Sequence, residues 1–421
     1  MLEMSSQIIV VGAGAAGLIA ARRLASAGYS VTLLEAAAIP GGRIHSLFVR
    51  DVAEHLEAGA EFVHGDLPVT VGLVRAAGLQ LIPTNHWQMA NDPSPFGDSS
   101  HWDDMLSEMS RIEQDIPVGA FLSEHFAGEK YARLRESVWR FASGYDLADP
   151  AIASTKALYA EWSAESDSSE YRVEGGYGRL VDWLAGECRR FGVMLHYSAP
   201  VTAIRWEEGK TVVVTGPGRE FSAEAIIVTV APPALKNLGF CPALPVYSNA
   251  IRGIGWGSVI KVLLVFRTAW WREEADERTT FILSHEAIPT WWTQRGVSST
   301  LITGWVTGDN MREFRTLAEK DRIGSCLASL SAIFRKDIGF LREQLVASRI
   351  FDWAEQPFIH GGYSYDMVGT PACRRQLQVP VADTIYFAGE AADEGPSPGT
   401  VEAAFRSGIA AAEKIIARHK R

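Results

Sequence analysis

A chain of 421 residues, 47% of them hydrophobic and 21% charged, has room for two or three domains at about 150 residues each and can bury a core without disulfide or metal staples. Its net charge of −10, with no basic run beyond Arg418, His419, Lys420 and Arg421, argues against binding nucleic acid by phosphate neutralisation. The four cysteines, Cys188, Cys241, Cys326 and Cys373, lack paired ligand spacing, which argues against a zinc site or a disulfide framework and suits a reducing, cytoplasmic compartment.

Apolar residues run from Ile8 to Ala21, but the leader Met1 to Gln7 carries Glu3 and no Lys or Arg, unlike a signal peptide, and the run is too short to span a bilayer. Ile8 to Val11 instead predicts a buried parallel strand. Gly12-Ala13-Gly14-Ala15-Ala16-Gly17 predicts a tight turn into a helix reaching Ala27. Tyr29 to Leu34 predicts a second strand ending in Glu35, 18 residues beyond Gly17. Glycines let the backbone approach a pyrophosphate, and the helix start offers free N–H groups with about +0.5 charge. The acid accepts hydrogen bonds from a ribose diol. The unit predicts a bound dinucleotide.

Gly41-Gly42-Arg43 marks a second close backbone approach or a plain turn. Asn85 to Asp104, rich in Asn, Asp, Pro and Ser, reads as a long surface loop. Arg111 to Ser143 and Leu317 to Arg335 have helical spacing. Val201 to Val230 reads as an antiparallel meander with turns at Glu207 to Lys210 and Gly216 to Gly218. Lys261 interrupts the apolar strand Val259 to Phe266. Composition alone makes it an edge-strand lysine reaching water, because an unpaired buried ammonium costs several kcal/mol. Thr384 to Phe387 predicts a strand entering Gly389 and Glu390, and Gly399-Thr400-Val401 opens a helix to about Ala417. Ligand-facing motifs at both chain ends suit a flavin held throughout turnover better than a nicotinamide that leaves.

The ordered motifs resemble those of the flavin-dependent amine oxidases, the family of monoamine oxidases, polyamine oxidases and flavin histone demethylases. They are Gly12 to Gly17 with Glu35, Gly41-Gly42-Arg43, Glu57 to Gly65, Gly175-Gly176-Tyr177, Ile226 to Lys236, Lys261 within Val259 to Val262, Trp353 to Tyr365, and Phe387 to Glu390 with Thr400-Val401. The resemblance implies an α/β fold: a Rossmann-type FAD-binding domain from 1–70, 173–240 and 360–421, and a mixed-sheet plus helices substrate domain from 71–172 and 241–359.

It also implies FAD, a small amine substrate and oxygen, while the charge, the cysteine spacing and the lack of a long apolar run argue against a nucleic acid, metal or membrane partner. By resemblance Lys261 is the lysine linked through water to flavin N5, and His64 either lines the substrate channel or is structural. The implied cofactor contacts are Gly12, Gly14, Ala15, Ala16, Gly17, Glu35, Ala36, Gly41, Gly42, Arg43, Gly59, Ala60, Glu61, Phe62, Val201, Gly389, Glu390, Thr400 and Val401. For Glu61 a purely structural role stays open.

Two departures stand out. Gly361-Gly362-Tyr363-Ser364 lacks the cysteine that monoamine oxidases link to flavin, which implies non-covalent FAD. The stretch Gly395 to Thr400 lacks the family's tyrosine, leaving Tyr363, Tyr365, Trp292 and Trp305 as pocket aromatics or core residues. The leading expectation is amine oxidation, with a secondary or polyamine-type donor ahead of a primary monoamine. Oxidation of an L-amino acid or a carbon–carbon bond, and a non-catalytic flavin-stabilised interaction protein, are the alternatives.

Overall fold

The computed structural model describes residues 7–49, 54–65, 67–84, 88–90, 99–163, 170–216, 218–273, 281–294 and 299–418. The β-branched run before the glycine turn forms the strand Gln7–Val11, the centre of a five-stranded parallel sheet. Across that sheet the order is Ile385–Phe387, Ala225–Val228, Gln7–Val11, Ser30–Leu34, Met194–His196. The helix Ala15–Ser26 follows the turn and shares a core with Gly178–Arg190 and Val401–Arg418 through Leu18, Ile19, Leu184, Ala411 and Ala412. A Cβ on Gly17 would stand 1.9 Å from the Gly12 carbonyl oxygen. Only glycine lets the helix sit this close to the turn.

Two local expectations are revised. Strands Val201–Glu207, Lys210–Thr215 and Glu220–Ala223 form an antiparallel ribbon, but Ala225–Val228 leaves it and joins the parallel sheet beside Gln7–Val11. Its four residues are all buried, and an unbroken apolar run marks a strand covered on both faces. Within 85–104, the strand Gln88–Ala90 and the start of the helix Ser99–Met109 replace part of the expected loop; residues 85–87 and 91–98 lie outside the described residues.

The second large sheet has six strands in the order Leu345–Asp352, Ile260–Phe266, Leu301–Val306, Thr290–Thr293, Phe281–Leu283, Gln88–Ala90. Only the last pair is parallel. Side chains alternate along a strand. Ile260, Val262, Leu264 and Phe266 accordingly pack with Leu327, Leu330 and Ile333 of the helix Glu319–Phe334, while Leu263 and Val265 meet Leu56 and Ala58. Lys261 falls on the latter face. It sits on an interior strand, paired on both sides, and is 1% exposed, so the solvent-reaching edge lysine expected from composition is not what the tertiary structure builds.

A helical layer of Val118–His125, Ala132–Gly144 and Thr155–Trp162 packs around Phe121, Leu122, Leu134, Val138 and Leu158. The Ser154 hydroxyl accepts from the Ala157 backbone N–H at 3.0 Å and caps the last of these helices, satisfying a donor that the helix start leaves orphaned. Among the described residues no helix is long and apolar enough to cross a membrane.

Candidate active site

One continuous cavity of about 2310 Å³ runs from the glycine turn to the helical layer. A small-molecule pocket usually measures about 300–1,000 Å³, so this one has room for a dinucleotide and a substrate together. All the cofactor positions expected from sequence line it except Gly17, whose place is the helix–turn contact described above. Lys261, His64, Tyr363, Tyr365, Trp292 and Trp305 line it too.

At the dinucleotide end the donor set fits a pyrophosphate and ribose. Gly14 has ordinary extended backbone, φ −76° and ψ −175°, and starts the helix Ala15–Ser26 without a side-chain cap. A Cβ there would meet only the Gly41 carbonyl oxygen, at 3.9 Å, and one on Gly42 only the Gly14 Cα, at 3.7 Å. The two glycines leave a backbone cradle that any larger side chain would fill. Glu35 accepts the Ala13 N–H at 2.6 Å and the Ala37 N–H at 2.7 Å. Burial raises its pKa, opposed by these backbone donors. A carboxylate has about four acceptor sites, so Glu35 can brace the turn and still accept from a diol.

Glu390 is placed differently from a free ligand-binding acid. Arg43 donates to its Oε1 at 2.7 Å and the Ser364 hydroxyl to its Oε2 at 2.5 Å. Arg43 also donates to the Gly362 carbonyl at 2.9 Å and lies over the Trp256 ring at 4.9 Å. The pair thus ties the two chain ends together at the cavity wall. The Thr400 hydroxyl accepts from the Ala403 N–H at 3.2 Å and caps the helix Val401–Arg418, whose first residue lines the cavity.

Beyond the cradle lies a buried charge cluster. Lys261 Nζ donates to Glu61 Oε2 at 2.8 Å and to the Gly59 carbonyl at 3.0 Å. An ammonium has three donors, so one remains. Glu61 accepts in addition from Arg172 Nε at 2.9 Å, Gln294 Nε2 at 2.8 Å, and Trp292 Nε1 at 3.1 Å to each oxygen. Burial alone would raise the Glu61 carboxyl, but the charges of Lys261 and Arg172 and the hydrogen bonds from Lys261 and Gln294 outweigh it and hold it at about 2. Glu57, two residues before Gly59, goes the other way. Burial pushes it up to about 7, against the Ser46 hydrogen bond and the charge of Lys261.

The opposite end, against the helical layer, is aromatic and acidic. Trp292 and Trp305 lie 5.7 Å apart, and the Trp305 indole donates to the Gly144 carbonyl at 2.9 Å. The Tyr363 hydroxyl donates to the Tyr145 carbonyl. A Cβ on Gly399 would meet Tyr363 Cδ2 at 3.0 Å, so this ring packs against Gly399, within the stretch Gly395 to Thr400 that carries no aromatic of its own. Tyr365 is 9% exposed and belongs mainly to the helical-layer core. His64 Nδ1 stands 2.9 Å from Glu170 Oε1, paired across neighbouring strands. Sequence reasoning missed Asp146, Glu161 and Tyr145, all on the cavity wall. No local spacing marks them; only the packing of the helical layer turns them inward.

Residues 15–416 match the family described as flavin containing amine oxidoreductase. A lysine-specific histone demethylase 1 homolog 1 of Arabidopsis thaliana is 28% identical over 97% of this chain and 52% of its own length. Polyamine oxidase 4 of Oryza sativa subsp. japonica is 26% identical over 98% of this chain and 88% of its own. The chain spans about half the length, or less, of the demethylase relatives it matches. Among solved structures, a putrescine oxidase redesigned in its cofactor binding superposes with a TM-score of 0.83 at 22% identity, covering 99% of this chain and 100% of that one. Cyclohexylamine oxidase from Brevibacterium oxydans IH-35A does so with 0.83 at 21%, over 99% and 100%. At these identities the likeness is one of fold.

Proposed function

Because the chain belongs to the flavin containing amine oxidoreductases, we propose that this FAD-dependent oxidoreductase oxidises a small amine, with a secondary or polyamine-type donor ahead of a primary monoamine. The observation that carries the reading is the placement of Lys261: buried on an interior strand, held by Glu61 and Gly59, and lining the same cavity as the Gly14–Gly42 cradle. FAD held by these residues would supply the hydride acceptor that turns a neutral amine into an imine, with oxygen as the final acceptor and peroxide as its product.

The chain's own part is to bind, orient and exclude water. Gly14, Gly42 and the helix start at Ala15 would hold the pyrophosphate and Glu35 the ribose, and Arg43 with Glu390 closes the wall between the two chain ends. Lys261 keeps one N–H for the cavity, directed by its two fixed acceptors, where it steadies a water or a developing charge. Trp292, Trp305 and Tyr363 shape the donor's path and narrow its access to bulk water. No cysteine is among the described cavity-lining residues, which supports non-covalent FAD.

The two large sheets support a division into a cofactor domain (1–70, 173–240, 360–421) and a substrate domain (71–172, 241–359). An amino-acid donor would need an arginine free for its carboxylate. The described lining arginines are engaged: Arg43 with Glu390, Arg140 with the Ser284 carbonyl at 2.6 Å, and Arg312 with Asp309 at 3.1 Å. The test is anaerobic mixing of the yellow protein with amines, amino acids and polyamines, followed by flavin absorbance and then readmission of air. Bleaching by amines, with recovery in air, is expected. A flavin that no nitrogen donor bleaches overturns the proposal.

A further inference from the structure

Arg374 stands on the helix Thr370–Gln378 and is 3% exposed. It is not among the described residues that line the cavity, but its three partners, Ser364, Asp366 and Glu390, all are. Its Nε and Nη2 donate to Asp366 Oδ1 at 2.9 and 2.7 Å. Nη2 also donates to the Ser364 hydroxyl at 3.1 Å, and Nη1 to the Glu390 carbonyl at 3.2 Å. A buried guanidinium needs a counter-charge, which Asp366 supplies. The bonds to Ser364 and Glu390 are more than charge balance requires.

The bond to Ser364 fixes a proton. A hydroxyl has one hydrogen and two lone pairs, and it rotates to suit its neighbours. Because Ser364 Oγ accepts from Arg374, its hydrogen is left for Glu390 Oε2, at 2.5 Å. Glu390 Oε1 accepts from Arg43 Nη1 at 2.7 Å and from the Ser364 backbone N–H at 3.3 Å. Of the roughly four acceptor sites of a carboxylate, one on Oε2 stays open among the described residues. Arg43 with Glu390 and Arg374 with Asp366 cancel in charge, so this corner offers a diphosphate no net attraction. A fixed carboxylate with one open lone pair instead recognises a hydroxyl donor, and the polyol chain of FAD carries such hydroxyls.

We propose that Arg374 is a positioning residue for the cofactor: acting through Ser364 from behind the cavity wall, it sets the Glu390 carboxylate to accept a hydroxyl of the FAD polyol. The inference rests on the FAD assignment and not on the identity of the amine. Both side-chain bonds to Asp366 end on one oxygen, so the fork of the guanidinium is not what this site uses. The atom that matters is Nη2, which bonds Asp366 and Ser364 together. A lysine ammonium at the same point would replace it, and an apolar side chain would not.

The test measures FAD retention, not turnover. Holoenzyme of wild type, Arg374→Met, Arg374→Lys, Ser364→Ala and the double variant Arg374→Met/Ser364→Ala is diluted, and the fluorescence of released FAD gives Kd. Ser364→Ala and Arg374→Met should each weaken FAD binding by about tenfold or more, the range of one hydrogen bond to a charged group. The double variant should match Ser364→Ala within about threefold, because Arg374 acts through that hydroxyl. Arg374→Lys should stay within about threefold of wild type. If Arg374→Met does not fold with Asp366 left unpaired, Arg374→Met/Asp366→Leu removes both charges and takes its place, with the same loss expected. Three results would overturn the proposal and leave Arg374 a packing role: FAD held within about twofold of wild type without the arginine, Arg374→Lys as weak as Arg374→Met, or losses that multiply in the double variant. If the wild-type protein binds no FAD, the cofactor assignment itself fails and this proposal with it.

Discussion

Glu61→Gln tests whether the buried cluster is the keystone of this site. In the native chain Glu61 balances two cations, Lys261 at 2.8 Å and Arg172 at 2.9 Å, and also accepts from Trp292 and Gln294. Glutamine keeps one acceptor, turns the other into a donor facing donors, and leaves both cations without a counter-charge. Breaking a buried pair from one side costs about 3–5 kcal/mol. Lys261→Met is milder: Glu61 keeps Arg172 and its neutral donors, and the main loss is the donor to the Gly59 carbonyl, about 1–3 kcal/mol for an unsatisfied group, offset in part by apolar burial.

Because each mutation removes the other's partner, the double variant should be more stable than the sum of the singles predicts, with a coupling of about 2 kcal/mol or more. The assay is urea unfolding of wild type, both singles and the double at pH 7, followed by tryptophan fluorescence. A Glu61→Gln protein within about 1 kcal/mol of wild type, or strictly additive singles, would refute a buried charge balance centred on this carboxylate.

Three further outcomes follow from the same geometry. Glu61 is held at about 2 against an ordinary 4.5; a depressed acid stabilises the fold fully above its unfolded value. About 3 kcal/mol should therefore be lost as pH falls from 4.5 towards 2, at roughly 1.4 kcal/mol per unit. Unfolding midpoints should show this loss in wild type and lack it in Glu61→Gln. Lys261→Met should slow flavin reduction or reoxidation by about 10²-fold or more if the lysine handles a proton at the ring; stopped-flow rates within threefold of wild type would remove that role. Gly14→Val should fold, because the backbone there is extended, yet fill the cradle and weaken FAD binding by about tenfold or more. A folded Gly14→Val protein that binds FAD as tightly as wild type would show that the pyrophosphate lies elsewhere.

Sequence alone settled what depends on neighbours along the chain. Strand, glycine turn, helix, strand and acid from Gln7 to Glu35 are written in period and punctuation within about 30 residues, the length of a single βαβ unit, and the apolar run around Lys261 already marks a strand. Tertiary structure decided the rest, because the deciding partners are remote. Lys261 lies 200 residues from Glu61, and Arg172 and Trp292 reach the same carboxylate from other strands, with Gln294 just past the end of one; no local pattern pairs them.

Sheet membership was equally non-local. Ala225 to Val228 reads as the end of a meander until Gln7–Val11 claims it, although its unbroken apolar run was the available signal. Gly17 counts among the phosphate glycines by motif but serves helix packing in space. Asp146 and Glu161 carry no motif at all. Burying a carboxylate against another is a property of the folded cavity wall, and only the fold brings the turn after Ala132–Gly144 to the helix Thr155–Trp162.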